Sequence, residues 1–154
     1  MADYFLDTSS LVKRHVNEAG SRWVKSLVRA KAGHRLYIVR ITAVEVTSAI
    51  TRRQHAGDLT PAQAGAILGH FRRHLIQRYR VIALTPALFN NAMLAARTHR
   101  LRAYDAVQLA VALEIRQQRQ EAGFGPVTLI SADRDLNAAA TAEGLVVDDP
   151  RAHP

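Results

Sequence analysis

Residues 4–13 read YFLDTSSLVK, and this stretch sets the pattern for the whole chain. Three apolar residues, typical of a short buried strand, lead directly into Asp7, and three hydroxyl residues that can begin a helix follow. A strand that passes straight into a helix is the repeating step of an α/β protein. The stretch therefore raises the question of whether Asp7 only caps a helix or also has a chemical role.

Short apolar runs of the same kind recur along the chain, separated by segments of helical composition. These segments are too long for hairpin loops, and connections of that length join parallel strands. The sequence therefore predicts an α/β fold. The five predicted strands are Tyr4–Leu6, Leu36–Val39, Val81–Leu84, Val127–Ile130 and Leu145–Val147.

The intervals between the strands predict six or seven helices. Thr60 can cap one of them with Pro61 in its first turn, and Gly144 is a typical left-handed end for the last. The helix that opens at Asp105 is apolar on nearly every side and is expected at the centre of the protein. The predicted helical segments are 10–15, 21–31, 42–54, 61–79, 86–99, 105–120 and 134–143.

Length and charge limit the classes of protein to consider. With 154 residues, 48% of them hydrophobic, the chain fits one domain over 1–154 with a single core. Its 21 Lys and Arg against 13 Asp and Glu leave a formal charge of +8, which favours a polyanionic partner such as nucleic acid. Because the basic residues are dispersed, a solvated helix face is the alternative explanation.

The sequence also indicates a compartment. It contains no cysteine, which excludes a disulfide framework and thiolate metal sites and fits a reducing cytoplasm. The apolar run before Asp7 is too short for an export signal, and no segment reaches membrane-spanning length. We therefore expect a soluble, cytoplasmic protein with no membrane contact.

Four acids stand where a strand or loop leads into a predicted helix: Asp7, Glu45, Asp105 and Asp133. Each has a structural explanation, because Asp7 and Asp133 can be N-caps, Glu45 can form a capping box with Thr42, and Asp105 faces a positive helix end. Open parallel sheets, however, bind ligands beyond the carboxyl ends of their strands, where strand order reverses. The four acids can therefore also converge on one site.

Four converging carboxylates would repel one another unless a cation lay among them. Oxygen ligands, without cysteine and without regularly spaced histidine, favour Mg²⁺ or Mn²⁺ over Zn²⁺. Such a site can activate water and stabilise charge on a phosphate. The hydroxyls of Thr8, Ser9 and Ser131 would then orient the carboxylates, or alternatively satisfy helix N-terminal amides.

Taken in order, YFLDTSSLVK, ITAVEV, LRAYDAVQLA and LISADRDLNAAATAEGL resemble the PIN domain, specifically the VapC-type ribonuclease toxins. The resemblance covers nearly the whole chain. It implies a three-layer α/β/α sandwich with a central parallel five-stranded sheet, and Mg²⁺- or Mn²⁺-dependent cleavage of RNA that leaves a 5′-phosphate and a 3′-hydroxyl. By position, the family's acidic quartet falls on Asp7, Glu45, Asp105 and Asp133, and its supporting hydroxyls fall on Thr8 and Ser131.

The same resemblance implies partners, namely a second copy in a homodimer and a VapB-type antitoxin whose C-terminal segment obstructs the metal site. Two other classes remain to be weighed. A non-catalytic PIN-like module that binds nucleic acid or regulates would use the acids as caps only. A phosphoacceptor receiver domain needs an Asp at the end of its third strand, where this chain has Thr85 and Pro86, so we discount it.

Basic residues near the acids in sequence can hold the RNA backbone, and a solvated face is their alternative. Asp135 is expected at the surface, although it can share the role of the fourth acid, and Asp3 is expected at the surface too. The candidate RNA-binding residues are Lys13, Arg14, Arg97, Arg100 and Arg102.

Overall fold

The computed structural model describes residues 1–153 and contains one five-stranded sheet in which every strand pairing is parallel. Four of the five predicted strands agree with the structure within a residue at each end. The strands are β1 (Asp3–Leu6), β2 (Arg35–Val39), β3 (Tyr79–Ile82), β4 (Val127–Ile130) and β5 (Val146–Asp148).

Within the described residues, seven α-helices and two short 3₁₀ helices, Ala30–Ala32 and Pro150–Ala152, connect and follow these strands. The helices are α1 (Thr8–Lys13), α2 (Ser21–Val28), α3 (Thr42–His55), α4 (Pro61–Gln77), α5 (Pro86–His99), α6 (Ala103–Glu121) and α7 (Arg134–Ala142). None of them is both long and apolar enough to cross a membrane.

The helices cover both faces of the sheet. Leu6 and Ile130 lie in one core with apolar residues of α1 to α4, whereas Phe5 and Leu129 lie in the other core with residues of α5 to α7. Neighbouring residues of one strand point to opposite faces, so a strand buried on both sides reads as a continuous apolar run. The predicted three-layer α/β/α arrangement is confirmed.

The strand order β3-β2-β1-β4-β5 shows at which point of the sheet the direction of strand addition reverses. The chain adds β2 and β3 on one side of β1 and then β4 and β5 on the other, so strand order reverses between β1 and β4. The N–H of Asp7 donates to the carbonyl of Ile130 at 3.2 Å, which extends this strand pair by one residue. Asp7 and the residues after β4 are thus held at the crevice where such folds bind ligands.

The third strand was placed incorrectly from the sequence. It was expected over Val81–Leu84, with the preceding helix running to residue 79, but α4 ends at Gln77 and Tyr79 pairs with Leu36 on β2. Tyr79 lies four residues after Leu75 and so continues the helical apolar spacing. Pairing with β2, a long-range contact, decides where the strand begins.

Asp3 is buried at 5% exposure, so its expected place at the surface was wrong. Arg35 approaches its Oδ1 at 2.7 Å and Arg119 of α6 approaches its Oδ2 at 2.9 Å, while the Tyr37 hydroxyl donates to it at 3.3 Å. The central strand is covered on both faces, so even its first residue is enclosed. A buried carboxylate is tolerated there because two guanidinium groups pair with it.

Candidate functional site

A cavity of about 390 Å³ opens beyond the carboxyl ends of β1 and β4. All four predicted acids line it: Asp7 after β1, Glu45 in the first turn of α3, Asp105 in the first turn of α6, and Asp133 after β4. These residues are up to 126 positions apart in the chain, since the first is Asp7 and the last Asp133. The parallel topology brings them to one edge.

Asp7 both caps a helix and lines the cavity. Its Oδ1 accepts hydrogen bonds from the Ser10 N–H at 2.9 Å and the Ser9 hydroxyl at 2.7 Å, and its Oδ2 accepts from the Ser131 hydroxyl at 3.0 Å. Burial raises the pKa of Asp7 to about 6, the three hydrogen bonds oppose that rise, and the charge of Asp105 adds to it.

Asp133 combines the same two roles at the end of β4. Its Oδ1 accepts from the N–H of Leu136 at 2.9 Å and so caps α7, as the sequence predicted. The Asp133 N–H in turn donates to the Ser131 hydroxyl at 3.0 Å, and Ser131 thereby links the Asp133 backbone to the Asp7 side chain. Oδ2 of Asp133 makes no hydrogen bond to a residue in the described range.

Glu45 does not form the capping box that its spacing from Thr42 predicted. The N-cap of α3 is Ile41, which makes no side-chain capping bond, and the Thr42 hydroxyl instead accepts from Nε2 of Gln108 at 3.0 Å. Oε2 of Glu45 accepts from the Thr8 hydroxyl and, at 3.2 Å, from Gln108. Thr42 is fully buried against α6, so its hydroxyl turns to the interior amide and not to its own helix end.

Asp105 is half-buried, and its side chain makes no hydrogen bond to any other residue in 1–153. Burial raises the pKa of Asp105 to about 6, and the charge of Asp133 is the second-largest cause of the rise. The charge of Arg102 lowers this pKa, whereas the charges of Glu45 and Asp135 raise it further. Two carboxyl groups of this cavity thus resist ionisation. Perturbation of this kind is typical of functional sites.

The predicted basic residues fall in different places. Lys13 lines the cavity, and Arg102 occupies the N-cap position of α6 near Asp105. Arg14 instead donates to the Tyr79 hydroxyl and lies beside a histidine of α4. Arg97 lies in the last turn of α5 and Arg100 is its C-cap, and neither residue lines the cavity. Arg100 instead borders a separate pocket, together with the exposed Asp135.

The sequence analysis missed three polar or charged residues that line the cavity: Gln108, Arg53 and Glu18. Oxygens of Glu18 lie 3.5 Å from Lys13 Nζ and 3.6 Å from an Arg53 guanidinium nitrogen, so the three side chains form a charged rim. Gln108 had a signal in the sequence, because it is the polar residue inside the apolar run AVQLAVAL. It follows Asp105 by three positions and therefore shares its helix face.

The donor set of the cavity fits a hard divalent cation in part. As placed, no three His, Asp or Glu side chains of residues 1–153 lie close enough together to hold a metal ion. Even so, none of the four acids forms an ion pair within that range. Unpaired carboxylate oxygens that share a cavity are the ligands that Mg²⁺ and Mn²⁺ prefer.

Residues 4–142 match the family model described as the PIN domain. A toxin-antitoxin complex from Klebsiella pneumoniae has a similar structure, with 16% identity over 96% of this chain and 98% of that chain and a TM-score of 0.63. The structure of VapBC2 from Rickettsia felis, bound to a DNA fragment from its promoter, is also similar. It shares 12% identity over 95% of this chain and 97% of that chain, with a TM-score of 0.62.

A third similar structure is VapC20 from Mycobacterium tuberculosis, a sarcin-ricin loop cleaving toxin, with 20% identity over 94% of this chain and 97% of that chain and a TM-score of 0.63. At these identities the structures share the fold. No curated protein sequence matches the chain.

Proposed function

The chain belongs to the PIN domain family, and on that premise we propose that it is a metal-dependent endoribonuclease, the toxin of a VapBC-type toxin-antitoxin pair. It acts in the cytoplasm as a single PIN-like domain over residues 1–154 and hydrolyses RNA phosphodiester bonds with Mg²⁺ or Mn²⁺. The observation that carries the proposal is the convergence of four acids, from four separate segments, on one cavity where strand order reverses.

Asp7, Glu45, Asp105 and Asp133 are the residues that hold the ion. There the ion would supply Lewis acidity, to activate a water and to stabilise the charge that develops on the scissile phosphate. Ser131 and Ser9 fix the Asp7 carboxylate, and Thr8 fixes Glu45, through the hydrogen bonds described above.

The two carboxyls with raised pKa values set a condition for binding the ion. Carboxylates must be ionised to coordinate, so a cation competes with the protons on Asp7 and Asp105 near pH 6. Lys13 and Arg102, at or near the cavity, attract phosphate groups of RNA without selecting bases.

Two protein partners belong to the proposal. A VapB-type antitoxin is supported by the similarity to toxin-antitoxin complexes. A homodimer is supported by the exposed apolar side chains of Phe89 and Met93, four positions apart on one face of α5, because adjoining exposed apolar side chains commonly mark a protein interface.

The test is cleavage of RNA by the purified chain with Mn²⁺, Mg²⁺ or a chelator. We expect cleavage only with the metal, and a loss of about 100-fold or more for Asp7→Asn and Asp105→Asn, since even residues behind metal ligands contribute roughly 10- to 100-fold. Asp58→Asn, at the exposed turn between α3 and α4, is the matched control and keeps full activity. Equal rates for all four proteins would refute the proposal.

The second candidate is a non-catalytic nucleic-acid-binding or regulatory PIN-like module. It is favoured by the capping bonds of Asp7 and Asp133 and by the lack of three close ligands within residues 1–153. This candidate predicts RNA binding that a chelator does not change, without cleavage. The same assay, run with a binding measurement, separates the two.

A further inference from the structure

Gln108 is a polar side chain buried in the first half of α6. It is 2% exposed, and its neighbours Leu109 to Ala112 are buried apolar residues. Burying an amide costs free energy unless both its donor and its acceptor find partners. A position that only needed packing would be occupied more favourably by an apolar residue.

The Gln108 amide nitrogen meets oxygens from two other helices. Nε2 lies 3.0 Å from Thr42 Oγ1, 3.2 Å from Glu45 Oε2 and 3.3 Å from Thr8 Oγ1. The two N–H bonds of the amide are therefore shared among three acceptors. Through them, Gln108 connects α6 to the start of α1 and to the first turn of α3.

The chemistry of these partners fixes which way the amide points. An ionised Glu45 carboxylate can only accept hydrogen bonds, so the atom facing its Oε2 must be the nitrogen of Gln108. The Thr8 hydroxyl donates its one proton to the same Oε2 and therefore faces Gln108 as an acceptor. Oε2 of Glu45 thus accepts two hydrogen bonds, from Thr8 and from Gln108, whereas Oε1 of Glu45 makes no hydrogen bond within residues 1–153.

The amide oxygen of Gln108, unlike its nitrogen, accepts no hydrogen bond within residues 1–153. This oxygen, Oε1, is also buried. Gln108 nevertheless lines the acidic cavity together with Thr8 and Glu45. A residue kept for stability alone would satisfy both ends, whereas functional sites commonly retain such unfavourable groups.

We infer that Gln108 is a positioning residue for the proposed metal-dependent cleavage. Its amide clamps one oxygen of Glu45 against Thr8 and leaves the other oxygen free to coordinate a cation. Gln108 therefore acts through Glu45 without touching the substrate. The inference rests on the proposed function, because it concerns the same cavity.

Gln108→Met tests the inference, since methionine has a similar length and no hydrogen-bonding amide. Two readouts are taken: Mn²⁺ binding by calorimetry without RNA, and kcat and KM for RNA cleavage. We expect the Mn²⁺ dissociation constant to rise and kcat to fall, each by roughly 10-fold, as for other residues that orient metal ligands. KM for RNA stays the same, because Gln108 does not bind the substrate.

Two control variants on the same helix separate positioning from loss of stability. Gln118→Met removes an exposed amide that contacts Glu114, and Ile115→Val loosens the core of α6 outside the cavity lining. Both controls should bind Mn²⁺ like the wild type, although Ile115→Val melts earlier. A Gln108→Met effect no larger than that of Ile115→Val would overturn the inference.

The outcomes distinguish the inference from the function on which it rests. If the wild type binds Mn²⁺ and cleaves RNA, and Gln108→Met does both equally well, only the inference fails. If the wild type does neither, the proposed function fails and the inference fails with it. Should Gln108→Met not fold, Thr42→Val removes a partner of the amide, and its unchanged Mn²⁺ affinity would also count against the inference.

Discussion

The Asp7 carboxylate has two opposing effects on the stability of the folded protein. Its carboxylate caps α1 and accepts two serine hydroxyls, which favours the folded state. Burial of its charge has the opposite effect, and the raised pKa of about 6 shows that burial dominates. Ionised Asp7 therefore stabilises the folded state less than a neutral side chain of the same shape would.

Asp7→Asn should stabilise the metal-free protein, because asparagine keeps the capping oxygen and removes the buried charge. A pKa raised from 3.8 to about 6 corresponds to a cost of about 3 kcal/mol in the free energy of unfolding. The cost is complete above pH 6 and absent below pH 3.8, where the carboxyl is protonated in both states. Denaturant unfolding under chelation should therefore show a gain at pH 8 that shrinks towards pH 4.

Asp58→Asn is the control for this measurement, since Asp58 is exposed in a turn. It should change the unfolding free energy little at either pH. A clear decrease in stability for Asp7→Asn at pH 8 would mean that the caps and hydroxyl contacts outweigh the buried charge. Asp7 would then be a structural residue first.

At the scale of elements, the junction between α5 and α6 places Asp105 at the cavity. Helix α5 has the predicted bounds, Pro86–His99, and its start is capped by Thr85. Its C-cap residue is Arg100, whose φ of 55° lies in the left-handed region that glycine adopts most easily. Only Arg100 to Arg102 separate the two helices, so the geometry of this end positions the first turn of α6.

Arg100→Gly should raise the free energy of unfolding by about 1 kcal/mol, because it relieves the left-handed strain of an L-residue. Arg97→Gly, three residues earlier within α5, should lower it by about 1 kcal/mol. Thermal or denaturant unfolding of both variants measures the contrast. Destabilisation by Arg100→Gly would show that contacts of the arginine side chain outweigh the strain.

At the scale of the whole molecule, a chain with a formal charge of +8 presents an acidic cavity. At the rim of this cavity, Lys13 and Arg53 share the carboxylate of Glu18. Arg14, next in sequence to Lys13, is directed to Tyr79 instead. Of these two adjacent basic residues, therefore, only Lys13 lines the cavity.

Lys13→Met should weaken RNA binding and reduce the slope of log affinity against log salt by about 0.7, the value for one phosphate contact on a single strand. Arg14→Met removes the same charge and should leave the slope unchanged, because Arg14 does not line the cavity. Binding is measured over a salt series in the Asp105→Asn background, so that RNA is not cleaved. Equal slopes for the two variants would assign the salt dependence to net charge alone.

Local sequence patterns predict the kind and order of the elements. Short continuous apolar runs located four strands within a residue at each end and the third two residues too late, because a strand covered on both faces is apolar throughout. Helical spacing located the bounds of α5. The sequence also singled out the four acids, since strand-to-helix junctions of a parallel sheet lie at one edge. These are local patterns, readable without knowing the partners.

Contacts between residues far apart in the chain depend on the tertiary structure. Thr42 bonds to Gln108, 66 positions away, and not to Glu45, three positions away. Asp3 is enclosed at the start of the central strand, and Arg119, on the last turns of α6, pairs with its carboxylate. Such contacts depend on how whole helices pack against the sheet, and packing is set by the sum of many side chains and not by the pattern around any one of them.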